Sequence, residues 1–205
     1  MTSPPGRATV LQRGLFALGA LLSAGIALVS FRYLVPGMQA PDGITGNAFS
    51  VPWLPVHAAA AATALLVAPL QFSSQLRARR PWFHRLLGRA YVTCCLIGGA
   101  TGLALAVGST AGPVATAGFG SLALVWFSAT ARAWRLAMRR NFVVHREWMI
   151  RSFALTFAAV TLRVYLPIAQ LLPVDFADAY RAISFLCWVP NLVVAEAYLR
   201  HKRFA

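Results

Sequence analysis

Six apolar runs, each about twenty residues long and poor in charge, divide this chain, and such a run is most stable as a helix crossing a bilayer. They cover residues 11–34, 52–72, 86–107, 114–134, 148–172 and 181–199. The segments between them are short and polar. Residues 1–205 therefore read as one polytopic membrane domain, an all-α integral membrane helical bundle. Composition agrees, because 59% hydrophobic and 12% charged residues are far from the balance of a water-soluble domain. The first run follows Arg7 and Arg13, as a secretory signal would. It is too long for the apolar core of a signal and has no small-x-small cleavage site, so it is expected to be a retained span.

A net charge of +14 in a soluble chain would point to nucleic acid. Here the placement of the charge gives another reading. Of the 19 lysines and arginines, all but Arg32, Arg163 and Arg181 precede the first run, flank the turns after the second and fourth, or end the chain. Asp42, Asp175 and Asp178 fall on the opposite side. The positive-inside bias then puts both termini in the cytoplasm (N-in, C-in), and the expected partner is the lipid bilayer, with no nucleic acid. The Pro- and Gly-rich stretch from Pro36 to Pro52 is the longest loop on the other side and is expected to lie over the mouth of the bundle.

The two basic turns resemble each other. RRPWFHR at Arg79–Arg85 matches RRNFVVHR at Arg139–Arg146 with one residue of slack. Counting from the histidines, His84, Tyr91, Cys95 and Gly102 align without a gap to His145, Ser152, Thr156 and Arg163. The second and third runs then repeat the fourth and fifth as pseudo-repeated helical hairpins. This predicts a four-helix core with the first and last spans outside it.

The fifth run carries the sharpest pattern. His145, Ser152, Thr156 and Arg163 fall in one narrow stripe of a helix, with Arg163 about 27 Å along the axis from His145. A guanidinium at that depth needs a partner, and the sequence offers Asp175, Asp178, Gln170 or helix carbonyls. An anionic or carbonyl ligand such as a quinone, a propionate or a lipid phosphate would serve equally. His57, about a turn into the second run and followed by Ala58–Ala62, belongs to the same outer half. The candidate ligand-binding residues are therefore His57, Ser152, Thr156 and Arg163. His84 and His145 open their spans at one depth and are candidate axial ligands to the iron of a b-type haem.

Other residues read as structure. Glu196 is expected to pair with Arg200 or Arg151. Pro167 and Pro190 are expected to kink their helices, with Asn191 answering a freed backbone group. Gly98 and Gly102 allow close helix approach. Adjacent Cys94 and Cys95, with Cys187 in another span, fit neither a disulfide framework nor a zinc site. No Ser/His/Asp triad, paired catalytic carboxylates or Gly-rich phosphate loop occurs, so the sequence identifies no reaction.

HRLLGRAYV from His84, GPVATAGFGSLALVWFSATARAW from Gly112 and HREWMIRSFALTFAAVTLRVYLP from His145 resemble a bacterial family of predicted membrane proteins, domain of unknown function 2306. The resemblance runs from about Pro52 onward and implies a multi-helix protein of the bacterial inner (cytoplasmic) membrane. A weaker similarity is to the cytochrome b561-type four-helix core, in which histidines of alternate helices clamp haems. His84 and His145 match its inner pair and His57 one outer ligand. The outer partner is missing, since Ala117 or Gly118 stands there.

Together these readings predict an inner-membrane protein with an intramembrane His/Arg site and a b-type haem or quinone-linked redox role. A small-molecule or proton-coupled carrier and a non-catalytic assembly subunit are the alternatives.

Overall fold

The computed structural model describes the backbone of residues 7–35 and 47–204 and the side chains of 14–35 and 47–202. Asp42 and most of the Pro36–Pro52 loop lie outside the described residues, as do the side chains of Arg7, Arg13 and Arg203. The described residues are almost entirely helical and contain no strand. The helices are α1 (Arg7–Ser30, extended by a 3-10 turn, Phe31–Leu34), α2 (Ser50–Gln71), the short α3 (Ser74–Arg79), α4 (Pro81–Val107) and α5 (Pro113–Met138). After them come α6 (Phe142–Thr156), α7 (Ala158–Leu171), α8 (Phe176–Leu186) and α9 (Val189–Phe204). Taken through short breaks, they make six helices long and apolar enough to cross a membrane.

Local chemistry explains the boundaries. Pro81 and Pro113 open α4 and α5, where a missing N–H costs nothing. Ser73, Asn141 and Asp175 cap α3, α6 and α8 by accepting from backbone N–H groups two or three residues on. Between α5 and α6 the chain reverses in three residues, 139–141. Arg140 takes φ 57°, Asn141 N–H bonds the Leu136 carbonyl at 3.0 Å and Arg140 N–H that of Ala137 at 3.0 Å, a Schellman closure with arginine where glycine is usual.

The core is a ring of four helices, α2, α4, α5 and α6, with α1 against α2, and α8 and α9 against α5 and α6. Small residues make this packing close. Ala58, Ala62, Ala64 and Ala68 of α2 are buried, as are Ala115, Ala129 and Ala133 of α5. Large apolar side chains such as Leu21, Leu28, Leu124, Val164 and Val193 point outward instead. In water this would be a liability; in hydrocarbon it is the lipid-facing surface.

The arginine-rich turns, the start of α1 and the end of α9 gather at one end of the bundle, which we call the basic end. There Arg151 of α6 holds Glu196 of α9 through two hydrogen bonds, 2.5 and 3.0 Å, and reaches Glu147 at 3.9 Å. Of the two partners the sequence offered Glu196, Arg151 is thus bonded to it. The guanidinium groups of Arg132 and Arg151 both lie over the Trp148 ring, 4.6 and 4.7 Å from its centre.

Candidate functional site

The half of the bundle away from the basic end encloses a cavity of about 260 Å³. Its walls are largely apolar, from Ala58, Ala61 and Leu65 of α2 to Leu122 of α5 and Leu162 of α7. Polar groups gather at two levels. His57, Arg163, Tyr33 and Asn47 mark the upper part, and Trp126 and Thr156 lie deeper along α5 and α6.

His57 is oriented by α4. Its Nδ1 lies 2.9 Å from the Gly98 carbonyl, which only accepts, so Nδ1 carries the proton and Nε2 keeps a lone pair. The ring lies over Gly102, where a Cβ would stand 3.0 Å from its Cε1. One turn earlier, a Cβ on Gly98 would meet the Trp126 ring at 2.9 Å. The two glycines thus make room for two ring systems of the cavity wall. Gly102 is also the position that pairs with Arg163 when the two basic turns are aligned on their histidines.

Arg163 donates from Nη1 to the Ala159 carbonyl of its own helix at 3.0 Å, and no carboxylate among the described residues pairs with it. The acids expected to reach it are engaged elsewhere. Asp175 accepts from the N–H groups of Ala177 and Asp178, and Asp178 pairs with Arg181 at 2.6 Å. A charge inside a span costs about 3 kcal/mol on insertion scales, more than one bond to a helix carbonyl returns. Tyr33 lines the cavity beside it, with its hydroxyl accepting from Arg32 Nη2 at 3.2 Å.

Asn47, just before α2, donates to the Leu105 carbonyl at 2.7 Å, and Ala48 N–H bonds Gly108 at 3.1 Å. The described end of the loop expected over the mouth is thereby tied to the end of α4.

Ser152 and Thr156 belong to a buried network at the centre of the bundle. Tyr91 Oη lies 2.8 Å from Ser152 Oγ and 2.9 Å from Thr156 Oγ1. Trp126 Nε1 donates to Thr156 Oγ1 at 2.9 Å, and Thr130 Oγ1 lies 2.7 Å from Ser152 Oγ. The stripe on the fifth span is therefore split: Ser152 is wholly in the network, Arg163 wholly in the cavity, and Thr156 in both. Tyr91, Thr130 and Trp126 were missed as functional candidates. The available signal was the repeat, which aligns Tyr91 with Ser152.

His84 and His145 both lie at the basic end, and each is the fourth residue of its helix after the cap, with its N–H bonded to the cap carbonyl. His145 Nδ1 is 2.8 Å from the Ala133 carbonyl, so Nδ1 is the donor and the ring is held with Nε2 turned away from that bond. His84 Nδ1 is buried and has no partner among the described residues, and the same holds for Gln71 Nε2 at this end. In donor chemistry the two imidazoles fit an axial haem pair. Among the described residues, no three His, Cys, Asp or Glu side chains form a group able to hold a metal ion by themselves.

A family model described as predicted membrane protein (DUF2306) matches residues 54–199, well over half of the chain. The chain belongs to this family. Searches of curated proteins and of solved structures found no match. The DUF2306 stretch contains His57, His84, Tyr91, Trp126, His145, Ser152, Thr156 and Arg163, hence the buried network and most of the cavity wall. Arg32 and Tyr33 precede it.

Proposed function

We propose that this chain is a ligand-binding protein of the bacterial inner membrane, with both termini cytoplasmic and the cavity opening toward the other face. The ligand is a lipid-soluble molecule that buries an apolar part against α2, α5 and α7 and presents an acceptor oxygen to Arg163, while His57 Nε2 can accept from a ligand hydroxyl. One observation carries this reading: a guanidinium without a carboxylate partner among the described residues borders an apolar cavity large enough for a ring or a chain. A quinone, whose carbonyl oxygens accept hydrogen bonds, fits this description and would give the site a redox role.

Trp126 at the cavity wall supplies the test. A short-chain benzoquinone added to the full-length protein in lipid nanodiscs should quench Trp126 fluorescence saturably, read as the difference between wild type and Trp126→Phe. Ala61→Phe, which fills the cavity, should weaken binding about tenfold or more. Quenching that rises without saturation and ignores Ala61→Phe, in a variant with unchanged thermal unfolding, would remove the cavity as a binding site for this class of ligand.

A second reading concerns the basic end, where His84 Nδ1, without a partner among the described residues, and the oriented ring of His145 support a b-type haem held between α4 and α6. A bound haem would supply one-electron chemistry there. Protein expressed with haem supplied should show a Soret band and a sharp α-band on reduction, absent from His84→Ala and from His145→Ala. A colourless wild type would eliminate this reading.

A further inference from the structure

The charges beside the cavity narrow the chemistry of the head group. We propose that the cavity binds an anionic amphiphile, a single apolar chain whose phosphate or carboxylate head lies between Arg163 and Arg32. This rests on the cavity being a ligand site and adds what the ligand is.

Three observations converge. First, Tyr33 links Arg32 to the cavity that Arg163 lines. The Arg32 guanidinium donates to the Tyr33 hydroxyl and lies 5.1 Å from its ring centre, and Arg163 lines the same cavity as Tyr33. Arg163 thus borders a low-dielectric cavity, with a second guanidinium, exposed, held by the neighbouring wall residue Tyr33, an arrangement that favours an anion.

Second, the described acids are committed elsewhere. Glu147 and Glu196 are with Arg151 at the basic end, Asp175 caps α8 and Asp178 holds Arg181. Of the three basic residues in this half of the chain, Arg181 is thus matched, while Arg32 and Arg163 have no carboxylate partner among the described residues. A neutral quinone accepts their hydrogen bonds but leaves both charges uncompensated.

Third, Nε2 of His57 is an acceptor, because Nδ1 is spent on Gly98. It suits a head that retains a hydroxyl, as a monoprotonated phosphate does. The apolar walls below take the chain.

The test uses the full-length protein in zwitterionic phosphatidylcholine nanodiscs, with Trp126 quenched by brominated dodecyl phosphate or by brominated dodecanol of the same chain. The phosphate should bind about tenfold more tightly than the alcohol, and the preference should fall below about threefold in Arg163→Gln and in Arg32→Gln. Arg32 is exposed, so its replacement removes a charge and its contact with Tyr33 without opening the core, and Arg163→Lys should keep part of the preference.

Equal binding of the two probes, or a preference that survives both arginine substitutions, would overturn the anionic head and leave the cavity as a ligand site. Failure of both probes to bind saturably, together with indifference to Ala61→Phe, would overturn the cavity reading as well. Inorganic phosphate is expected to compete only weakly; competition as strong as that of dodecyl phosphate would make a free anion the ligand and overturn the amphiphile.

Discussion

Tyr91 is completely buried in the middle of the bundle, and its hydroxyl has one hydrogen to share between two close oxygens. The surrounding donors decide where it goes. Thr156 Oγ1 gives its own hydrogen to the Ser152 carbonyl at 2.9 Å, so it can only accept from Trp126 and from Tyr91. Ser152 Oγ must then donate to Tyr91, and Thr130 to Ser152. The chain of donors runs Thr130, Ser152, Tyr91, Thr156, and it joins α4, α5 and α6. Tyr91→Phe removes the middle link and leaves the Ser152 hydroxyl without its acceptor. It should lower stability by about 1–3 kcal/mol, and Tyr91→Phe with Ser152→Ala should cost less than the two singly. Denaturant unfolding in detergent measures both; a Tyr91→Phe protein as stable as wild type would mean that the network contributes nothing. Sequence marked Ser152, Thr156, His57 and Arg163 because polar residues stand out in apolar helices. Tyr91 and Trp126 did not stand out, since an aromatic ring in a span reads as filling until the rotation of its helix shows what its polar atom meets.

At the scale of elements, the count of spans and the paired hairpins were legible, because hydropathy and turn composition are local properties. The breaks inside spans were legible only in part. Pro190 cannot donate to the Leu186 carbonyl, and the sixth span breaks close by, between α8 and α9. Pro167 lies within α7 and the helix runs through it, whereas the fifth span breaks at Phe157, where no proline stands. The physical reason comes from another span. Asn191 Nδ2 donates to the Ala154 carbonyl at 3.3 Å, the acceptor that an unbroken helix would give to Ala158. The same amide reaches Thr161 Oγ1 at 2.9 Å and the Cys187 carbonyl at 3.0 Å, and Thr161 Oγ1 donates to Cys187 at 2.7 Å. The expectation that Asn191 serves freed backbone was thus right in kind. One residue serves two breaks at once, which a reading of either span alone does not reveal. The two breaks lie beside the cavity, where Ala158 and Cys187 form part of its wall, so the interruptions help shape the space.

At the scale of the whole molecule, the fold separates its charges. The turns around α3 and between α5 and α6 lie at one end with Lys202, and the α4–α5 and α7–α8 connections lie at the other. Moving arginine-rich turns across an energised membrane is opposed by the potential as well as by desolvation, so the basic end should face the cytoplasm. Alkaline phosphatase fused after Ala111 or after Pro173 should be active, and fused after Arg140 or at Ala205 inactive; a fluorescent protein at Ala205 should be bright. The reverse pattern would place the cavity on the cytoplasmic side. The outcome matters for the ligand, because orientation decides which leaflet supplies it. With the basic end inside, Arg32 and Arg163 lie against the positive-inside bias, on the face where cations are sparse. An anionic head entering from the outer leaflet would meet them first and the apolar walls second. With the basic end outside, the same two arginines would simply follow the bias, and their position would no longer argue for a bound anion.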